Sequence, residues 1–123
     1  MNKIIILLTF FISLSSFAGD KMLLAKGQWY FEKKCAFCHK AQGQGDVGPN
    51  LTDDYYIYGN TKEVISSLVR KGIPAKGMPV WEKLMPKDQI DAIVAYVYSI
   101  RGTNIKGKAP EGVLMKLKSE KKP

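Results

Sequence analysis

Both cysteines and the single histidine of this 123-residue chain lie within five consecutive positions, Cys35-Ala36-Phe37-Cys38-His39. Cys-x-x-Cys-His is the attachment sequence of c-type haem. The spacing suits this chemistry, because one helical turn carries two thiols to the two vinyl groups of a porphyrin and brings the histidine under the iron. The sequence therefore predicts one covalently bound haem c, attached through Cys35 and Cys38, with its iron bound by His39.

Other chemistries also use closely spaced cysteines, and the rest of the sequence weighs against them. A thioredoxin-like redox pair lies in a βαβ context, which this chain does not show. A zinc site needs a fourth ligand and donors that are further apart than Cys38 and His39. A disulfide between Cys35 and Cys38 would close a very small ring and add little stability. A chance occurrence of so short a motif is the remaining alternative.

Residues 1–18 have the composition of a secretory signal peptide. Lys3 supplies a positive charge, an apolar run follows, and Ser16 and Ala18 are small residues in front of a cleavage site. The apolar run is shorter than the roughly 18–20 residues that a membrane span needs, and an uncleaved anchor is the alternative. We expect cleavage after Ala18 and a periplasmic location.

The remaining chain has the organisation of a single helical domain. Apolar residues recur at helical spacing in three segments, Met22–Cys35, Asn60–Lys71 and Lys87–Arg101. Asn60 is the expected N-cap of the second helix, since Glu63 follows at the spacing of a capping box. No strand pattern of convincing length is present. We expect the domain at residues 19–105 and a lysine-rich C-terminal tail at residues 106–123, extended over the surface or loose at its end.

The loops between these helices are long for a compact domain. Three helices in a chain of this size also bury only a modest apolar core, so a haem would fill the centre. The predicted fold class is therefore all-α, with three or more helices and long loops wrapped around one covalently bound haem.

The remaining residues indicate how His39 is oriented and which side chain is the second axial ligand of the iron. The turn Gly48-Pro49-Asn50-Leu51 is placed to supply a backbone carbonyl that accepts the second ring N–H of His39, a plain turn being the alternative. Thioether sulfur binds haem iron and raises its reduction potential. Met78 lies between Gly77 and Pro79, in a loop that these residues can hold against the haem, and is the predicted second axial ligand. Met85 is expected to pack in the core.

The order of these residues resembles that of the small class I cytochromes c with one haem. The positions that carry the resemblance are Gly27, Phe31, Cys35, Cys38, His39, Gly48, Pro49, Met78, Pro79, Ala95 and Tyr96. The resemblance implies a cytochrome c-like fold in which Gly27 and Phe31 cross the last helix near Tyr96. It also implies that the carbonyl beneath His39 belongs to Pro49.

A narrower similarity is to a haem domain of the cytochrome c subunit of cbb-type oxidases. The segments that carry it are 53–59, 77–81, 101–104 and 108–112. It implies that Tyr55, Tyr56 and Trp81 line the haem pocket or reach the haem propionates, and a role in packing alone is the alternative. That subunit has two haem motifs and a membrane anchor, whereas this sequence has one motif and a signal segment. We therefore expect a free-standing monohaem carrier related to that domain.

An iron with both axial positions taken by His39 and Met78 has no site for a substrate, so we expect electron transfer and no enzymatic activity. The expected function is that of a soluble periplasmic one-electron carrier in a respiratory chain, delivering electrons to a terminal oxidase or reductase. The alternative is a tightly bound haem subunit of an oxidase or dehydrogenase complex. A ligand-binding sensor haem would need a labile sixth position.

The net charge of +8, from 19 Lys and Arg against 11 Asp and Glu, bears on the partners. The lysines that flank the predicted haem loops are Lys33, Lys34, Lys40, Lys76 and Lys83. Such a positive rim favours association with redox proteins that have an acidic docking surface. We also expect peripheral contact with a membrane-bound respiratory complex, a monomeric state, and no nucleic-acid binding because the chain is exported.

Overall fold

A computed structural model describes the backbone of residues 2–117 and the side chains of residues 17–117. The elements in chain order are α1 (Asn2–Lys34), α2 (Ala36–His39), β1 (Tyr55–Tyr56), α3 (Lys62–Lys71), α4 (Lys87–Ile100) and β2 (Val113–Leu114), with 3₁₀ turns at Pro74–Lys76 and Trp81–Lys83. Long irregular segments join them, as the sequence predicts. The predicted signal segment lies almost entirely outside the described side chains, and residues 118–123 of the predicted tail lie outside the described residues.

Helices α1 and α4 cross at Gly27. A Cβ atom at this position would lie 2.8 Å from Cβ of Tyr96 and would overlap the backbone carbonyl of Ala92, so a side chain here would force the helices apart. Phe31 is 1% exposed and packs one turn further along, with its ring centroid 5.3 Å from that of Tyr96. The contact has the arrangement that the class I resemblance implies, and it places the end of α1 against the centre of α4.

The apolar core lies between α1, α3 and α4. Its buried residues are Phe31, Ile65, Val69, Met85, Ile90, Ile93, Val94 and Val97. Those on α3 and α4 recur at steps of three and four, which is the periodicity that predicts both helices. Met85 is 7% exposed, so its prediction as a core residue is confirmed. Outside the core, Arg70 of α3 forms an ion pair with Asp91 of α4.

The boundaries of all three predicted helices differ from the prediction. Helix α1 begins at Asn2 and ends at Lys34, and α4 ends at Ile100 because Arg101 has an extended backbone conformation. The N-cap of α3 is Thr61, and the prediction of Asn60 is wrong. The Thr61 hydroxyl accepts a hydrogen bond from the Val64 N–H at 3.2 Å, whereas the Asn60 side chain donates to the carbonyl of Met115.

Residues 104–115 run extended across the surface and are attached to the loop that follows α2. Strand β2 pairs antiparallel with β1, and backbone N–H groups donate from Asn104 to Thr52, from Lys108 to Gln44 and from Met115 to Asp54 at 2.8–2.9 Å. Strands of two residues leave no alternating pattern, so the sequence does not predict them. In the part of the chain that the structure describes, no helix has the length and apolar character needed to cross a membrane.

Candidate haem-binding site

A cavity of about 300 Å³ lies between the end of α1, helices α3 and α4, and the loops on either side of Met78. All eight site residues predicted from the sequence line it: Cys35, Cys38, His39, Pro49, Tyr55, Tyr56, Met78 and Trp81. The other walls are mostly apolar and include Leu68, Ile93 and Val97. A concave apolar cavity with a few convergent polar groups is the usual form of a cofactor site.

The two cysteines lie on one helical turn at the cavity wall. The turn continues α1, because the N–H of Cys35 donates to the carbonyl of Phe31 at 2.7 Å and the N–H of His39 donates to that of Cys35 at 2.9 Å. Both thiols are free. Burial and, to a smaller extent, the neighbouring Cys38 together raise the pKa of Cys35 to about 12. Redox-active thiols have a lowered pKa, so the raised pKa of Cys35 disfavours disulfide exchange at this site.

The imidazole of His39 is held by the turn that follows the motif. Its Nδ1 lies 3.0 Å from the carbonyl oxygen of Pro49, so Nδ1–H donates there and Nε2 remains available to a metal. Burial lowers the pKa of His39, against the hydrogen bond to Pro49, which raises it. A Cβ atom at Gly48 would lie 2.6 Å from Cε1 of the ring. Gly48 thus leaves room for the ring, and the carbonyl of Pro49 accepts its hydrogen bond.

Two backbone hydrogen bonds to Ile73 hold Met78 at the cavity. Its carbonyl accepts from the N–H of Ile73 at 3.0 Å, and its N–H donates to the Ile73 carbonyl at 3.2 Å. Gly77 turns the chain between them with a φ of 84°, in the left-handed region that favours glycine. The Met78 side chain is half-buried and packs against the core, whereas Met85 lies within the core and does not line the cavity. Of these two methionines, Met78 is therefore the one that can bind a metal in the cavity.

The residues around the cavity fit a haem c. The donor set is the one such a group needs, since two thiols, an imidazole nitrogen and a thioether line the same space. Tyr56 also lines the cavity, and its hydroxyl is buried without a hydrogen-bond partner among the described residues. Buried polar groups normally have partners, so this hydroxyl is suited to bond with a bound cofactor.

The five lysines of the predicted positive rim are all exposed, but they differ in their positions and contacts. Lys34 and Lys76 line the cavity. Lys40 pairs with Asp46 at 3.1 Å, and Lys33 lies over the ring of Trp29. Two apolar side chains are exposed near the motif: Phe37, at 90%, and Val47, at 67%. The surface near the cavity therefore combines positive charge with exposed apolar area.

Arg101 also lines the cavity and was not predicted as a site residue. It begins the segment 101–104 that carries the narrower similarity, but neither that similarity nor any local pattern gave it a role at the cavity. Only the direction that the chain takes after α4 brings its side chain to the cavity, next to β1.

The sequence is similar to that of known proteins. Residues 23–97 match the family described as cytochrome C oxidase, cbb3-type, subunit III. The chain is 36% identical to the cbb3-type cytochrome c oxidase subunit CcoP of Azospirillum sp. (strain B510), over 73% of this chain and 36% of the relative. It is 35% identical to subunit FixP of Bradyrhizobium diazoefficiens, over 63% of this chain and 28% of the relative. The chain thus spans about a third of the length of these curated relatives.

A solved structure supports the same fold. Cytochrome cL from Methylophaga aminisulfidivorans superimposes with a TM-score of 0.60 at 25% identity, covering 73% of this chain and 71% of that chain. The predicted all-α, cytochrome c-like fold and the resemblance to the cytochrome c subunit of cbb-type oxidases are both confirmed. A cytochrome c domain holds covalently bound haem c with its iron and transfers electrons. This chain belongs to the family of cbb3-type cytochrome c oxidase subunit III.

Proposed function

We propose that this chain is a monohaem electron-transfer component that works with an oxidase of the cbb3 type. The observation that carries the proposal is the convergence of Cys35, Cys38, His39 and Met78 on one apolar cavity. The single Cys-x-x-Cys-His motif within residues 1–123 supports one haem in this stretch. The names of the relatives supply the class of partner, a terminal oxidase.

A haem c in this cavity supplies one-electron redox chemistry at its iron. His39 would bind the iron of this haem through Nε2, because the Pro49 carbonyl accepts the hydrogen bond from Nδ1–H and fixes the orientation of the ring. Met78 would supply the second ligand, and its thioether sulfur would favour the reduced state. The apolar walls of the cavity exclude water, which also favours the less charged reduced state. An iron held by both His39 and Met78 would have no position left for a substrate and would transfer electrons only.

This chemistry is compatible with a fixed oxidase subunit and with a freely diffusing carrier, and the relatives favour the subunit. Both relatives named above are subunits of an oxidase, which supports the alternative stated from the sequence over the freely diffusing carrier expected there. We propose that residues 1–18 direct export and that residues 19–105, with the segment that follows, form a haem domain in the periplasm. Exposed lysines beside the cavity, such as Lys34 and Lys76, face acidic groups of the neighbouring redox protein.

Ligation of the iron is tested by two methionine variants of the protein, expressed with the enzymes that attach haem. The wild type should carry covalent haem and show a sulfur-to-iron charge-transfer band when oxidised. Met78→Ala should lose this band, lower the midpoint potential and allow the reduced protein to bind carbon monoxide.

Met85→Ala is the matched control. It should keep the band and lose about 2–5 kcal/mol of stability through the cavity left in the core. Loss of the band in Met85→Ala but not in Met78→Ala would overturn the ligand assignment, and a colourless wild type with free thiols would overturn the proposed function.

The organisation is tested by fractionating cells that contain the oxidase. A bound component should purify with the membrane oxidase at moderate salt. A diffusible carrier should instead remain in the soluble fraction and reduce the oxidase at a rate that falls steeply with ionic strength, because long-range attraction between charges is screened.

A further inference from the structure

Lys108 joins the extended segment that follows α4 to the loop that follows α2. Its backbone N–H donates to the carbonyl of Gln44 at 2.9 Å, and its ammonium donates to the carbonyl of Val47 at 3.2 Å. The ammonium also pairs with the carboxylate of Glu111 at 2.6 Å. Next to it, Gly107 packs directly on the loop, because a Cβ atom there would overlap the carbonyl of Gln44. The segment is therefore fastened to this loop by two hydrogen bonds and a close backbone contact.

The peptide group that Lys108 binds is itself bonded to the haem motif. The carbonyl of Val47 and the N–H of Gly48 belong to one peptide group, and this N–H donates to the carbonyl of Cys38 at 2.9 Å. The group thus accepts from an ammonium at one end and donates to the motif at the other. Hydrogen bonds in such a series polarise and strengthen one another. Lys108 therefore holds the turn in front of Pro49 against the motif.

His39 depends on the position of this turn. Its Nδ1 lies 3.0 Å from the carbonyl oxygen of Pro49, only two residues after the carbonyl that Lys108 binds. The turn is also in close contact with the ring, since a Cβ atom at Gly48 would lie 2.6 Å from Cε1. Acceptors behind a metal-bound histidine orient its ring and raise its basicity. A shift of the turn would therefore change the bond on which the ligand depends.

We infer that Lys108 is a positioning residue for the iron-binding histidine, His39, and acts through the turn that carries Pro49; this inference rests on the proposed function. A lysine that only adds solubility extends into water, because ordering its long side chain costs conformational entropy. The side chain of Lys108 is instead 32% exposed and has two partners, Val47 and Glu111. Outer contacts of this kind preorganise a metal centre, so the ligand moves little when the iron gains or loses an electron.

Hydrogen–deuterium exchange of the Nδ1–H of His39, followed by NMR in the reduced, haem-loaded protein, tests this role. Lys108→Met keeps the length of the side chain and removes its donor. The exchange should become about tenfold faster, because one charge-assisted hydrogen bond no longer opposes local opening of the turn. The backbone amide of Val69, in the buried core, should keep its wild-type rate, whereas general destabilisation would accelerate both.

Two further variants separate the contact from the charge. Lys108→Arg retains a cationic donor and should exchange at close to the wild-type rate. Lys106→Met is the matched control, since it removes an exposed lysine two residues away in the same segment and should change nothing. Equal rates at His39 in Lys108→Met and Lys106→Met would overturn the inference, and so would a rise in Lys108→Met that the Val69 amide shares.

Gly107→Ala tests the same contact independently, because the added Cβ would push the segment away from Gln44. It should also accelerate exchange at His39. If Lys108→Met attaches no haem, an unchanged rate in Gly107→Ala overturns the inference instead. A wild type without covalent haem would refute the proposed function, whereas a coloured wild type with unchanged rates in these variants would refute only the role of Lys108.

Discussion

Replacing Gly27 by alanine should destabilise the protein by about 1–2 kcal/mol, although alanine is the better helix former. In an exposed helix the substitution would gain about 1 kcal/mol. At this position the added Cβ would lie 2.8 Å from Cβ of Tyr96 and would overlap the carbonyl of Ala92. Overpacking costs about 1–3 kcal/mol, and the upper part of that range applies because a backbone carbonyl cannot rotate away as a side chain can.

Denaturation in guanidinium chloride, followed by far-UV circular dichroism, measures this loss as a lower midpoint with an unchanged slope. The melting temperature should fall by about 4–8 °C for each kcal/mol in a domain of this size. Lys26→Ala is the control in the same helix, since Lys26 is exposed next to Gly27. It should be neutral or slightly stabilising. If Gly27→Ala were as stable as Lys26→Ala, the close crossing of α1 and α4 would be refuted.

Two further predictions concern buried groups. Burial raises the pKa of Asp53, and the nearby Asp54 and Glu111 raise it further, against the hydrogen bond from the Tyr55 N–H. The ionised carboxylate therefore opposes folding, and this cost appears as the pH rises from the unfolded value of about 3.9 through the raised folded value. Asp53→Asn should be about 1 kcal/mol more stable than the wild type at pH 7, with the advantage shrinking towards acid pH in urea titrations; an advantage that grows as the pH falls contradicts this. Gly48→Ala should displace the His39 ring and reduce the amount of haem attached per chain, measured by the haem-to-protein absorbance ratio, and an unchanged ratio and spectrum would contradict the contact seen here.

Much of the site follows from local sequence because its parts are local. One turn of helix brings Cys35, Cys38 and His39 to one wall, and a glycine and a proline mark each of the two loops that carry Pro49 and Met78. Backbone conformations that need glycine are visible in a sequence, and so is the apolar periodicity of α3 and α4. The motif also implies the cofactor, which explains why so much loop surrounds so small a core.

What the sequence does not reveal depends on partners far along the chain. Strand β1 consists of Tyr55 and Tyr56, and it exists because Val113 and Leu114 lie beside it. A two-residue strand has no periodicity, and its stability comes from cross-strand contacts that local propensity does not encode. The side chain of Arg101 reaches the cavity only because the chain turns back after α4. The choice of Thr61 over Asn60 as N-cap is a difference of one residue, which local spacing does not resolve.

The attachment of residues 104–115 to the loop after α2 bears on the order of events during maturation. The backbone hydrogen bonds that make this attachment join residues roughly 50–65 positions apart. A polypeptide that emerges amino terminus first exposes Cys35 and Cys38 long before its closing segment is available. The two thiols are therefore most accessible to a haem before residues 104–115 have paired with the loop after α2. Covalent attachment at that stage would precede the folding of the later half of the polypeptide around the tethered group.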